Sequence, residues 1–128
     1  METAITNGIK ISVRSAFRPD HSAASKNLFV FSYEIKIENN SKYQVQLMRR
    51  HWNIIDSNGL KREVEGEGVI GEQPILGPGD VHRYESASDL QTDIGTMEGT
   101  YLMKNLDTSE LFDVTIPKFL MQVPFRLN

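Results

Sequence analysis

The sequence predicts an all-β domain, a sandwich of two antiparallel sheets with about seven strands. Three observations lead there. Apolar and polar residues alternate along several extended stretches, the period-two signature of a strand with one face turned inward. Turn-favouring residues separate those stretches at short intervals. No stretch shows a convincing helical period.

The first strand is IKISVR (9–14), where Ile9, Ile11 and Val13 alternate with Lys10, Ser12 and Arg14. LFVFSYEIKIEN (28–39) repeats the pattern with Phe29, Phe31, Tyr33, Ile35 and Ile37, and Asn39-Asn40-Ser41 ends it. YQVQLMRRHWNIID (43–56) is the third, and its halves disagree: Val45 and Leu47 look inward early, Trp52 and Ile54 later, with opposite parity. A strand cannot change face unaided, so a bulge or twist is expected near Met48–His51, unless the strand is covered on both sides there. Asp56-Ser57-Asn58-Gly59 carries the Asn-Gly hairpin signal, and LKREVEG (60–66) returns antiparallel. Pro78-Gly79 suits the centre of a type II turn. Val81 to Ser86 is a short strand, and TMEGTYLMK (96–104) follows with Met97, Gly99, Tyr101 and Met103 on one face. LFDVTIPKF (111–119) is the last, with Phe112, Val114 and Ile116 in register. HSAASKN (21–27) and SASDLQTDIG (86–95) each have room for one helical turn. Trp52 on the third strand and Tyr101 early in the sixth match the core tryptophan and tyrosine corner of immunoglobulin-like domains. The absence of cysteine makes the fibronectin type III variety the closer comparison.

At 128 residues the chain is one domain, 1–128, large enough to bury a core without covalent staples. Zero cysteines remove disulfides, thiolate metal sites and a cysteine nucleophile together, and fit a reducing compartment. The amino terminus, METAITNGIKIS, lacks the basic region and apolar run of a secretory signal. The longest strongly apolar stretch, LFVF (28–31), is far short of the roughly 20 residues of a membrane helix. A soluble cytoplasmic protein with no membrane role is expected. The net charge of −3 and the scattered cations disfavour a nucleic-acid partner.

Residues 66–71, GEGVIG, have the spacing of a dinucleotide-binding loop, which must open a helix whose first N–H groups face the phosphate. Here Pro74 and Gly77-Pro78 follow closely and bar that helix, and REVE before the loop is too charged for a buried parallel strand. A glycine loop can still form an anion nest without a helix, with Gly66, Gly68 and Gly71 holding a phosphate and Arg50, Lys61 or Arg62 gathered around it. Against this, Glu67 and Glu72 bracket the loop. The plainer reading is that these glycines supply positive φ or let the backbone pass close to another strand.

Other chemistry is sparse. His21, His51 and His82 have no zinc-site spacing. Asp80 and His82 share a strand face and with Glu72 or Glu85 would hold a divalent cation weakly; a solvated strand end is the favoured reading, and no metal ligand is assigned. No Gly-x-Ser-x-Gly is present, and Glu63 and Glu65, though on one strand face, look solvent-exposed, so no catalytic residue and no cofactor follow. If Trp52 is core, alternation sends Arg50 inward too, so Arg50 must snorkel to an edge or pair with a buried acid. The loop GVIGEQPIL (68–76) is the strongest binding candidate, because Val69, Ile70, Ile75 and Leu76 either close the end of the sandwich or form a docking patch. The two prolines of IPKFLMQVPF (116–125) suggest an edge or a protected extension.

With these residues assembled, the chain resembles the ApaG family. The matching string is RRHWNIIDSNGLKREVEGEGVIGEQPILGPGD (49–80), continued by YES (84–86), LQTDIGTMEGTYLM (90–103) and FDVTIPKF (112–119). Ala87 and Asp93 depart from the family pattern, within what reads as one loop. The resemblance implies a fibronectin type III-like sandwich and a bacterial, cytoplasmic protein associated with cobalt resistance and magnesium efflux. It also implies a protein-binding role, as assumed for related domains in F-box proteins, and no catalytic residues. It maps a suspected pyrophosphate site onto Gly66, Gly68 and Gly71. A soluble domain without a span cannot itself pump ions. Two functional expectations result: a non-enzymatic module that docks a protein partner of unknown identity through the 66–80 loop and a sheet edge, or a sensor of a pyrophosphate-containing nucleotide at the glycine loop. An exposed edge also permits a homodimer.

Overall fold

In a computed structural model, residues 1–124 are described, and they form nine strands in two antiparallel sheets. The first sheet has the order β1-β2-β3-β7, from β1 (Glu2–Thr6), β2 (Ile9–Phe17), β3 (Phe29–Asn39) and β7 (Val81–Leu90). The second has the order β5-β4-β8-β9, from β4 (Val45–Asp56), β5 (Lys61–Glu67), β8 (Ile94–Asn105) and β9 (Leu111–Gln122). The two-residue β6 (Ile75–Leu76) pairs with the start of β4, beyond the reach of β5. Two short 3-10 turns, Pro19–His21 and Ala24–Lys26, join β2 to β3.

The two strands beyond the expected seven are β1 and β6. β1 lacks a clean apolar alternation, but Asn7-Gly8 turns it back onto β2 with both residues at positive φ. The helical turn expected within 86–95 is absent, because β7 runs on to Leu90 and pairs along its length with β3. Ala87 and Asp93 therefore do not share a loop: Ala87 lies within β7 and Asp93 in the β7–β8 connection.

The parity change in β4 is resolved as the sequence required. The β4–β8 register shifts between Leu47 and Arg49, leaving Met48 as the extra residue. Val45 and Leu47 before it, and Trp52 and Ile54 after it, therefore all reach the core. β9 shows the same device: Gly99 faces Ile116 while Met97 faces Phe119, so the strand gains a residue at Pro117-Lys118. Proline is tolerated there because a bulge and an outer strand leave its missing N–H unclaimed. Phe125, the last residue of the stretch singled out in the sequence, lies outside the described residues.

The inner faces interdigitate around Trp52, which meets the rings of Tyr33 at 5.4 Å and Phe119 at 6.1 Å edge-on. Each large side chain buried here contributes on the order of 2 kcal/mol. Tyr101 is fully buried, but it is not a tyrosine corner: its hydroxyl meets the hydroxyl of Tyr84 on the opposite sheet rather than a nearby backbone group. Asp56, also buried, ends β4 by accepting N–H bonds from Gln91 at 2.8 Å and Thr92 at 3.0 Å.

Candidate functional site

The glycine loop is an excursion from one edge of β4. β5 pairs with Arg49 to Ile55, β6 with Val45 and Gln46, and the loop spans the gap between them at the Met48 bulge. The bulge anchors it: the Met48 carbonyl accepts from the Gly68 N–H at 2.9 Å and the Gln73 side-chain amide at 3.0 Å. Leu47 donates its N–H to the Pro74 carbonyl at 3.0 Å.

Within the loop, Val69 and Glu72 exchange N–H···O bonds of 2.8 and 3.0 Å around a two-residue turn. Ile70 and Gly71 occupy its centre with φ of 48° and 75°, the pairing of a type I′ turn. Among the described residues no helix follows Gly71, as the prolines required. The glycines serve separate ends. A Cβ on Gly68, itself at φ 61°, would fall 2.8 Å from the carbonyl carbon of Glu72 and closer still to its oxygen. A Cβ on Gly66 would fall 2.8 Å from Nη2 of Arg50.

Arg50 finds no acid among the described residues; it extends instead toward the β5 edge. Its guanidinium lies beneath Gly66, and Nη1 donates to the carbonyls of Glu67 at 3.0 Å and Gly68 at 2.9 Å. Around it stand Tyr33, Tyr84 and Tyr101. Burial pushes all three phenols above their usual range, against the smaller opposing pull of Arg50, so none of them offers the arginine a counter-charge near neutral pH.

The other expected cations are not at the loop. Lys61 pairs with Ile55 at the far end of β5. Five residues of extended strand put it about 17 Å from Gly66. Arg62 points across to β7, donating to Asp89 Oδ1 at 3.3 Å and to the Asp89 carbonyl. The four apolar candidates divide. Val69 and Leu76 are core, 1% and 2% exposed, and close the end of the sandwich; they are unavailable to a partner. Ile70 and Ile75 project outward, 62% and 54% exposed.

The register brings together a set that the sequence reading left apart. His51 faces Glu65 directly and Glu63 diagonally, with Nε2 at 2.6 Å from Glu63 and 3.6 Å from Glu65. Their donor atoms lie within 4.8 Å of one another, one imidazole and two carboxylates on an open strand face. Such a set suits part of the shell of a borderline divalent cation, with water completing it. Asp80 is instead used as a turn cap, accepting from the Gly77 N–H at 2.7 Å. Sequence reasoning paired Glu63 with Glu65 on one strand face but left His51 apart; the Asn58-Gly59 hairpin was the signal that would have aligned it with them.

No helix among the described residues is long and apolar enough to cross a membrane. The family model of the ApaG domain matches residues 19–105, which include the bulge, the loop and β7. "Protein ApaG" of Anaeromyxobacter dehalogenans is 45% identical over 128 residues, all of both chains. "Protein ApaG" of Methylocella silvestris is 46% identical over 125 residues, covering 98% of this chain and 95% of its own. The crystal structure of the ApaA protein of Bordetella pertussis superposes with a TM-score of 0.88 at 38% identity, over 91% of this chain and 94% of that one. A family match over most of the chain, relatives that align from end to end and a shared backbone agree: this chain belongs to the ApaG domain family.

Proposed function

We propose that this protein is a non-enzymatic interaction module that engages a protein partner with the tip of its glycine loop. One observation carries the reading: Ile70, a β-branched residue, is held in left-handed backbone with its side chain exposed. That conformation costs about 1–2 kcal/mol, and asparagine, aspartate or glycine would relieve it. An isoleucine buried in the core would offset the strain by packing; Ile70 is 62% exposed and has little such packing among the described residues. Strain without a packing return is the pattern of a residue kept for contact with something else. Ile75 adds a second exposed aliphatic group on β6, and the pinning at Met48 holds both in place. A fibronectin type III-like sandwich presenting loops suits such a role. On this reading the cobalt-resistance and magnesium-efflux association implied by the family resemblance arises through the partner, inside the cytoplasm.

The nucleotide-sensor reading draws less support. The N–H groups of Gly68, Val69 and Glu72 are committed to carbonyls of the protein, Arg50 faces inward to carbonyls, and Lys61 and Arg62 lie along the strand. The test is Ile70→Asn. The variant is expected to unfold at higher temperature and to lose, in affinity capture from the native cytoplasm, a protein that the unaltered domain retains. Retention of that protein by Ile70→Asn defeats the reading. Amide shifts confined to Gly66–Gly71 on pyrophosphate addition would favour the sensor.

A further inference from the structure

On one flank the sandwich is not closed. The edge strands β5 and β7 face each other across the two sheets without pairing, and between them lies a cleft of about 250 Å³. Its inner wall is Tyr33 and Trp52; its sides are Ile54 and Val64 from the second sheet and Ser86 and Ser88 from the first. Ser86 and Ser88 occupy inward positions of β7, opposite Tyr33 and Phe31, where a closed sandwich would carry large apolar side chains. Small residues at these two positions keep the cleft open. Arg62, bonded to Asp89, bridges the two edges at one end. Arg50 lies at the other.

Arg50 supplies the chemistry. A guanidinium has five N–H donors. Nη1 uses its two on the Glu67 and Gly68 carbonyls, while Nε and Nη2 have no acceptor among the described residues. No side-chain nitrogen there is both fully buried and unpartnered, so these donors reach solvent; Arg50 lines the cleft and also a second hollow beside Arg49 and His51. Among the described residues no carboxylate pairs with Arg50. With Arg62 balanced by Asp89, the cleft carries one uncompensated positive charge beside an indole and two aliphatic side chains. The volume equals roughly eight water molecules at about 30 Å³ each, too small for a dinucleotide.

We propose that this cleft is a binding site for a small organic carboxylate, its charged end taken by the free donors of Arg50 and its apolar body lying against Trp52 and Val64. A planar carboxylate matches the remaining guanidinium edge, and the enclosing walls strengthen that pairing relative to open water. The hydroxyls of Tyr33 and Ser86 stand within the same cleft as further polar partners. The buried phenols stay neutral and do not compete for the arginine. The proposal is independent of the loop-tip reading, because Ile70 points out to solvent while the cleft lies between the sheets.

Trp52 is the only tryptophan, so its emission reports on the cleft directly. Benzoate is the probe and benzamide its uncharged counterpart. Benzoate is expected to change Trp52 emission saturably and to shift the amides of Val64, Ser86 and Ser88, with benzamide at least about tenfold weaker, as loss of a charge-assisted bond implies. Arg50→Gln should lose benzoate binding. Because Arg50 also holds the loop carbonyls, Ser88→Val provides the second variant: it fills the cleft without touching the arginine and should weaken binding at an unchanged unfolding midpoint. Absence of saturable change with benzoate, equal affinity for benzamide, or undiminished binding by Ser88→Val overturns the proposal.

Discussion

Replacing Gly68 by alanine sets a methyl group against the backbone of Glu72, 2.8 Å from its carbonyl carbon, at a residue whose φ is 61°. Neither problem has a local remedy. The left-handed conformation costs about 1–2 kcal/mol for a residue with a Cβ. The contact is with main chain, so the turn itself must open. Opening it breaks the reciprocal bonds between Val69 and Glu72, each worth about 1 kcal/mol net. It also draws Val69, now 1% exposed, out of the core, at about 2 kcal/mol. Part of this is recovered by relaxation, which leaves a loss of roughly 3–5 kcal/mol. The other two glycines calibrate the reasoning. At Gly71, φ is 75° but nothing lies within 4 Å of an added Cβ, so Gly71→Ala loses only the conformational cost of about 1 kcal/mol. At Gly66 the obstacle is the movable end of Arg50, and Gly66→Ala should cost about 1–2 kcal/mol as the partly buried guanidinium leaves its carbonyls. Urea unfolding followed by Trp52 emission ranks the three. The expected order is Gly68, then Gly66, then Gly71; a Gly71→Ala as damaging as Gly68→Ala would refute this account of the motif.

Two further outcomes follow from buried polar groups. Tyr33, Tyr84 and Tyr101 are held protonated above the ordinary value of 10.0, so above that pH the unfolded chain binds fewer protons than the folded one. Stability is therefore insensitive to these groups below pH 10 and falls as pH rises beyond it; their tyrosinate absorbance should appear together with unfolding, and early titration of all three in the folded state would contradict it. Asp56→Ala removes the acceptor of the Gln91 and Thr92 N–H groups at a nearly closed site and should cost about 3 kcal/mol in urea unfolding, with Asp56→Asn recovering part of it.

Several features were legible because they are local. The reversed parity of Val45/Leu47 and Trp52/Ile54 demanded an extra residue, and Met48 is that residue. Pro74 and Pro78 denied a helix after Gly71, and none forms. Pro78-Gly79 was read as a type II turn, and the Asp80 N–H does bond to the Gly77 carbonyl at 3.0 Å with Gly79 at φ 85°. The same kind of signal was present at Asn7-Gly8, but ETAIT lacks the apolar alternation that would have marked it as a strand. Val69, Ile70, Ile75 and Leu76 looked alike in sequence; a turn anchored on Met48 divided them into two core residues and two exposed ones.

By itself the sequence determined the period-two strands, the turns between them and the place where β4 must slip, because each depends on neighbours a few residues away. Only the tertiary structure decided what Arg50 does. Alternation turned it inward, but its carbonyl acceptors come from residues 17 and 18 positions on, its phenol neighbours from three different strands, and the open space beside it from small residues on the opposite sheet. Those distances in sequence are closed by sheet register and by the stacking of one sheet on the other, and neither is written in any short run of residues.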